Sequence, residues 1–351
     1  MSREEADLSA VRTVPIARRP NKVRAEEFAS PPPLRTSLGN KEGSFGAFLR
    51  SLPDVLVARD FLKVIDAIVA ATGRRGVLVM TGGHVVKTGL APILIDFMRR
   101  GIITHLAMNG SGAIHDYEIA RWGGTSEDVA AGLRDGTFGM AEETGRGMND
   151  AFTRGMANGW GMGEALARSL VDEPDLAHPE LSVLLNAFEL GVPLTVHAAL
   201  GAEIIHQHPA ANGAAIGDTS HRDFRILAGS LPSLHDGGVV LNLGSAVILP
   251  EVFLKALTIA RNLHQGRPTG FTSCDMDMLR HYRPRVNVVQ RPTLEGGHGY
   301  EITGHHELMV PLLAWGVVEK LSGANRATGI ESHARNEEAG AGPPAARATA
   351  E

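Results

Sequence analysis

The sequence predicts an α/β protein with a Rossmann-like parallel sheet covered by helices on both faces. Three observations predict it. Short, wholly apolar segments alternate with segments of helical period. Those apolar segments end in glycine-rich turns that lead into helices. The 351 residues are 43% hydrophobic, enough for a large core. Strands buried on both faces read as continuous apolar runs, and strands alternating with helices indicate a parallel sheet.

Residues 1–44 carry many charges, the Pro31-Pro32-Pro33 run and little apolar periodicity, so they are expected to form an extended, mobile arm. A single domain is expected over 45–321, and a disordered Ala/Gly/Pro-rich tail over 322–351. Within the domain, Phe45–Ala71 recurs at helical spacing, and Gly76–Thr81 is a short apolar strand broken by Gly82-Gly83. A helix over Val85–Arg100 and a strand over Ile102–Met108 follow, closed by Asn109-Gly110-Ser111-Gly112 and a helix to Trp122. Beyond a Gly- and Met-rich stretch, helix Pro179–Leu190 precedes strand Val192–Val196, and a helix at 220–230 leads to strand Gly238–Leu243. Gly244-Ser245 turns that strand into helix Pro250–His264; strand Thr269–Cys274 and helix Glu307–Lys320 close the domain. The composition of Gly136–Gly163 does not decide between a lid and an oligomer contact.

The formal charge is -5 with acids and bases interspersed, which gives no reason to expect nucleic acid or a membrane surface as a partner. One cysteine, Cys274, excludes an internal disulfide framework and fits a reducing compartment. Met1–Leu8 is polar, without the apolar stretch of a signal peptide, and no window holds the roughly 18 apolar residues of a membrane span. A cytoplasmic, soluble protein is therefore expected.

Three strand ends carry small turns: Thr81-Gly82-Gly83-His84, Asn109-Gly110-Ser111-Gly112 and Gly244-Ser245-Ala246. Glycine lets a ligand approach the backbone, and a following helix offers free N–H groups to an anion, which suits a pyrophosphate. Sharp strand-to-helix turns also need small residues for purely structural reasons, and the two standard nucleotide patterns are absent. Lys87-Thr88 follows Val86 instead of the glycine of a phosphate loop, and the first turn lacks GxGxxG with its acid.

At these turns the chain resembles deoxyhypusine synthase, in order from about residue 45 to 321. Thr81–Gly89 is similar to that family's first NAD-contacting turn, and Asn109–Asp116 to its Thr-Ala-Gly-Gly/Ser segment with an acidic pair, replaced in archaeal members by His-Asp. Val192–Gly201, Leu243–Ile248 and Glu307–Leu313 resemble three further family segments. The resemblance implies a deoxyhypusine synthase-like NAD-binding fold, NAD as cofactor and a homo-oligomer of the tetrameric kind. It implies cofactor contacts at Gly82, Gly83, His84, Thr88, Asn109, Gly110, Ser111, Gly244, Ser245 and His305. The family oxidises spermidine with NAD and passes its aminobutyl group to a protein lysine through an imine on an active-site lysine. Here the corresponding region, 280–299, holds Arg283, Arg285 and Arg291 but no lysine, and a permanently charged arginine cannot form that imine. The family's acid after its Leu-Gly pair becomes Ala202 beside Glu203, its NAD-contacting acid becomes His197, and a histidine position becomes Pro250.

Other chemistry rests on the histidines, of which there are 15. His84, His115, His197, His206, His208, His298, His305 and His306 are placed on or near the ligand rim. The expected catalytic set is His115, Asp116, His197 and Glu203, with His115 or His197 as general acid or base. Against this stands the reading of single histidines as surface or capping groups, and of Asp116 as a helix-dipole acid. The His206-Gln207-His208 pair offers a metal alternative, although its spacing fits no defined motif. The three arginines suit either a carboxylate or phosphate clamp or a solvated rim.

The expectation is thus an NAD-dependent enzyme acting on a small amine or alcohol, not making deoxyhypusine by the lysine-imine route. Three alternatives remain: aminobutyl transfer to protein or polyamine, a metal-dependent hydrolase, and a non-catalytic nucleotide-binding protein.

Overall fold

A computed structural model describes residues 8–24 and 45–328. The elements run β1 (Asn21–Arg24), α1 (Phe45–Ser51), α2 (Leu56–Ala71), β2 (Val77–Thr81), α3 (Gly83–Lys87), α4 (Ala91–Arg99), β3 (His105–Asn109), α5 (Gly110–Trp122) and β4 (Gly124–Glu127). They continue with α6 (Val129–Asp135), α7 (Glu142–Asn158), α8 (Met162–Val171), α9 (Val183–Glu189), β5 (Leu194–His197), α10 (Gly213–Ser230), β6 (Val239–Leu243) and α11 (Ile248–Leu263). Last come β7 (Thr272–Asp277), α12 (Tyr282–Pro284) with a π-helical turn over Arg285–Gln290, β8 (His298–Thr303) and α13 (His306–Thr328).

Six strands form one wholly parallel sheet in the order β5-β3-β2-β6-β7-β8. Counting only these strands along the chain, the order is 3-2-1-4-5-6, the doubly wound arrangement whose direction reverses beside the first strand. The apolar runs expected to be strands are strands because they are buried on both faces. Along β2, Val77 and Val79 enter one core with Ile65, Ile68 and Leu106, while Leu78 and Met80 enter the other with Val240, Leu249 and Phe253. Each such fully buried side chain contributes roughly 1.5–3 kcal/mol.

The structure corrects several expectations. β8 falls in a segment not expected to be a strand, and β7 reaches Asp277 where the sequence suggested an end at Cys274. The core of the Gly/Met-rich stretch folds as α7 and the start of α8, with Met148 and Phe152 buried and the Cβ of Ala165 against Gly155. The expected mobile arm is built into the body over 8–24, since β1 pairs antiparallel with β4, Ile16 is buried and Arg19 forms buried ion pairs. The rest of that segment, 1–7 and 25–44, lies outside the described residues. α13 continues past 321 to Thr328, and the expected tail beyond it lies outside the described residues. No helix among the described residues is long and apolar enough to cross a membrane.

Candidate functional site

Ligands of such sheets bind beyond the carboxyl ends of the strands, at the reversal point. Here that point lies between β2 and β6, and the glycine turns at both ends touch. A Cβ at Gly82 would fall 2.2 Å from the carbonyl oxygen of Gly244. Gly244 itself has φ +70°, and a Cβ there would meet the His306 ring at 2.7 Å. Thr81 ends β2 with its hydroxyl buried and without a hydrogen-bond partner, and His306 Nδ1 is likewise unpartnered. His306 Nε2 donates to the carbonyl of Met276 at 3.0 Å, and its ring lies 5.7 Å from that of His84. Small backbone, two orphaned polar groups and a half-buried histidine therefore converge at the switch point.

At the next strand end, Asn109 caps α5 by accepting from Gly112 N–H at 3.0 Å, and Ser111 donates to the same Asn109 oxygen at 2.9 Å. The carboxyl group of Glu203 lies against Gly110, where an added Cβ would stand 2.6 Å from its carbon. Glu203 accepts from Ala199 N–H at 2.9 Å and from Gly110 N–H, while burial raises its pKa. An acid is thus delivered to the end of the second strand from another loop, the position from which doubly wound folds bind a ribose.

His115, one helical turn into α5, places Nδ1 2.8 Å from the Thr125 hydroxyl. Burial, then the charges of Lys87, Arg19 and His84, push its pKa down to about 3. Burial and neighbouring His306 and Lys87 lower that of His84 as well, while Glu307 and Asp277 oppose the shift. His84 accordingly lies within electrostatic reach of both halves of the crevice. Lys87 is half-buried on α3 and makes no hydrogen bond or ion pair with the described residues.

Several expected site residues serve other purposes. Asp116 is fully buried and accepts from Ser182 Oγ at 2.7 Å, Val183 N–H at 2.6 Å and Leu184 N–H at 3.1 Å, so it caps α9 and faces no ligand. Burial raises it to about 6 against those three bonds. His197 is also a core group: its Nε2 lies 3.0 Å from Thr195 Oγ1, which holds His105 Nε2 at the same distance. Burial drives His197 down to about 3, so it is neutral and closed to a substrate. Thr88 spends its hydroxyl on the His84 carbonyl at 2.9 Å, and Ser245 Oγ accepts from Leu249 N–H at 3.2 Å. His305 is exposed beside Glu307, whereas His298 opens β8 at the opposite end of the sheet. His206 faces Glu203 and His208 faces Glu142, at 3.3 and 3.2 Å, and no set of three His, Cys, Asp or Glu among the described residues is arranged to hold a metal. Arg283 pairs with Glu251 and Arg291 donates to Asn287, so neither forms a clamp at the crevice.

The sequence reading missed an acidic group. Asp275, Asp277 and Glu301 belong to the carboxyl-terminal parts of β7 and β8, with Asp275 opposite both Asn242 and Glu301. Asn242 Nδ2 donates to Asp275 at 2.7 Å, and its Oδ1 is buried without a partner. Asp275 is 4% exposed, and burial, reinforced by Asp277 and Glu301, raises it to about 7 despite the Asn242 bond. The signal was the alternation Ser273-Cys274-Asp275-Met276-Asp277, which places both acids on one face of a longer strand. Cavities of about 510 and 780 Å3 lie elsewhere, between α5, α7 and α8 and at the amino ends of the strands.

No family model matches the chain, and no curated protein matches it. Among solved structures it is similar to an arginine dihydrolase from the ornithine-ammonia cycle in Cyanobacteria, at 16% identity and TM-score 0.45, over 75% of this chain and 33% of that one. It is similar to AgrE, solved as a ternary complex with ornithine and NAD+, at 15% identity and TM-score 0.48, over 76% of this chain and 33% of that one. A candidate deoxyhypusine synthase from Entamoeba histolytica is 10% identical with TM-score 0.45, over 81% of this chain and 97% of that one. The chain thus spans only a third of the first two proteins.

Proposed function

We propose that the crevice between β2 and β6 binds NAD and that the protein is an NAD-dependent enzyme acting on a small amine. The observation that carries the reading is the contact of the two glycine turns at the switch point of a 3-2-1-4-5-6 sheet. The residues present suit the group. Gly82, Gly83 and Gly244 bring bare backbone to the crevice, Thr81 Oγ1 and His306 Nδ1 await partners, Lys87 supplies an unpaired positive charge, and Glu203 offers a carboxylate for a ribose. When bound, NAD supplies a hydride acceptor.

The chain's own residues supply recognition and proton handling. Asp275, Asp277 and Glu301, with the orphaned Asn242 oxygen, make an acidic cluster that an ammonium group would suit, its present donors being Asn242 Nδ2 to Asp275, Met278 N–H to Asp277 and Arg280 3.9 Å from Glu301. His84, near both Asp277 and Lys87, and His115, near His84 and Lys87, are neutral and offer ring lone pairs to the proton that leaves an amine as its carbon is oxidised to an imine. The resemblance to deoxyhypusine synthase agrees in place, because four of its five segments fall at the carboxyl ends of β2, β3, β5 and β6.

Titration calorimetry of the purified chain with NAD+, then with small diamines in its presence, tests the reading. Micromolar NAD+ binding and amine-dependent NADH absorbance are expected. No NAD+ binding at millimolar concentration would overturn it.

A further inference from the structure

We infer that Glu118 and Thr125 are positioning residues that hold His115 in one tautomer, with its proton on Nδ1 and the Nε2 lone pair open to the crevice. The role of that lone pair as a proton acceptor rests on the function proposed above; the tautomer itself does not.

Glu118 is 1% exposed, and its carboxylate receives the Arg19 guanidinium at 2.7 Å and the Thr125 hydroxyl on Oε2. Its Oε1 receives the Thr144 hydroxyl from α7 at 2.9 Å. An ionised carboxylate paired with arginine is acceptor only. The single hydroxyl proton of Thr125 is therefore committed to Glu118. Toward His115, 2.8 Å away, the Thr125 oxygen has only lone pairs to offer. His115 Nδ1 must then be the donor, and in a neutral imidazole the other nitrogen carries no proton. Burial and the neighbouring Lys87 and Arg19 charges oppose a second proton on the ring.

The arrangement draws on three distant parts of the chain. Thr125 lies on β4, which pairs with β1 at Val23, so residues 8–24 contribute both the strand beside Thr125 and the arginine that fixes Glu118. Arg19 also lies 3.7 Å from Glu127, the last residue of that strand, which anchors it over the relay. A segment expected to be loose thereby sets the chemistry of a nitrogen facing the site.

Two-bond proton–nitrogen correlation spectra of the isotope-labelled full chain at neutral pH read the tautomer directly, with His115→Gln to assign the signals. The expected wild-type pattern is Nδ1–H with an unprotonated Nε2. In Thr125→Val the ring is expected to move toward the Nε2–H form that free imidazole side chains favour. In Glu118→Gln the amide oxygen stays toward Arg19, the donor to Oε2 in the wild type, and keeps accepting from Thr125, so the Nδ1–H form is expected to be retained. An Nε2–H tautomer in the wild type overturns the inference, as does an unchanged tautomer in folded Thr125→Val or an Nε2–H ring in Glu118→Gln. The spectra need no nucleotide. An Nδ1–H ring in a protein that fails to bind NAD leaves this inference standing while the proposed function falls.

Discussion

Replacing Asp275 with Asn separates the cost of the acidic cluster from its use. Asp275 is 4% exposed, faces Glu301 across the strand pair and is raised from 3.8 to about 7. A carboxyl whose pKa is raised by folding stabilises the native state below its unfolded value, and that stability is lost as pH rises through the folded value. Between pH 5 and pH 8 the loss from this one group is about 3 kcal/mol, at 1.36 kcal/mol for each pH unit over which only the native state keeps the proton. Asparagine retains an oxygen to accept from Asn242 Nδ2, as Asp275 does at 2.7 Å, and carries no charge. Asp275→Asn should therefore gain about 3 kcal/mol over wild type between pH 5 and pH 8. Asp223, raised by burial to about 7, titrates in both proteins and cancels. Urea denaturation at the two pH values measures the difference, and a relative midpoint shift on the order of 1 M is expected. The same variant should lose affinity for a small diamine. Parallel pH dependence in the two proteins would refute the idea that Asp275 is a buried acid awaiting a cation.

Other perturbations discriminate structural from ligand-binding roles. Gly82→Ala drives a Cβ to 2.2 Å from the Gly244 carbonyl, so NAD+ affinity by calorimetry should fall at least about tenfold. Asp116→Ala strips the acceptor from Ser182, Val183 N–H and Leu184 N–H and should cost about 2–4 kcal/mol in denaturation experiments, with NAD+ affinity unchanged. Arg19→Ala leaves Glu118 buried without its counter-charge, at a cost of about 3–5 kcal/mol, and adding Glu118→Gln should recover much of that loss.

Periodicity alone was enough for the α/β class, for most strands of the sheet and for the three glycine turns. Apolar runs such as Val77–Met80 can be buried only inside a sheet covered on both sides, and turns between them must be small. The boundaries of polar-bearing strands were not legible in the same way. Asp275 and Asp277 read as the start of a loop, because a strand's carboxyl end at a ligand crevice carries acids that a core strand would exclude. Asp116 and His197 drew attention as titratable groups beside promising turns. Only three-dimensional neighbours reveal that one caps a distant helix and the other packs beneath a threonine.

What the sequence by itself determined is the alternation of buried strands and helices, hence where a ligand crevice can exist. The tertiary structure decided which side chains face it. Strand order brings Gly82 to Gly244 across about 160 residues of chain, and the β1–β4 pair carries Arg19 to Glu118. Such pairings depend on long-range register and on the desolvation of specific charges, and neither leaves a periodic mark on the residues that take part.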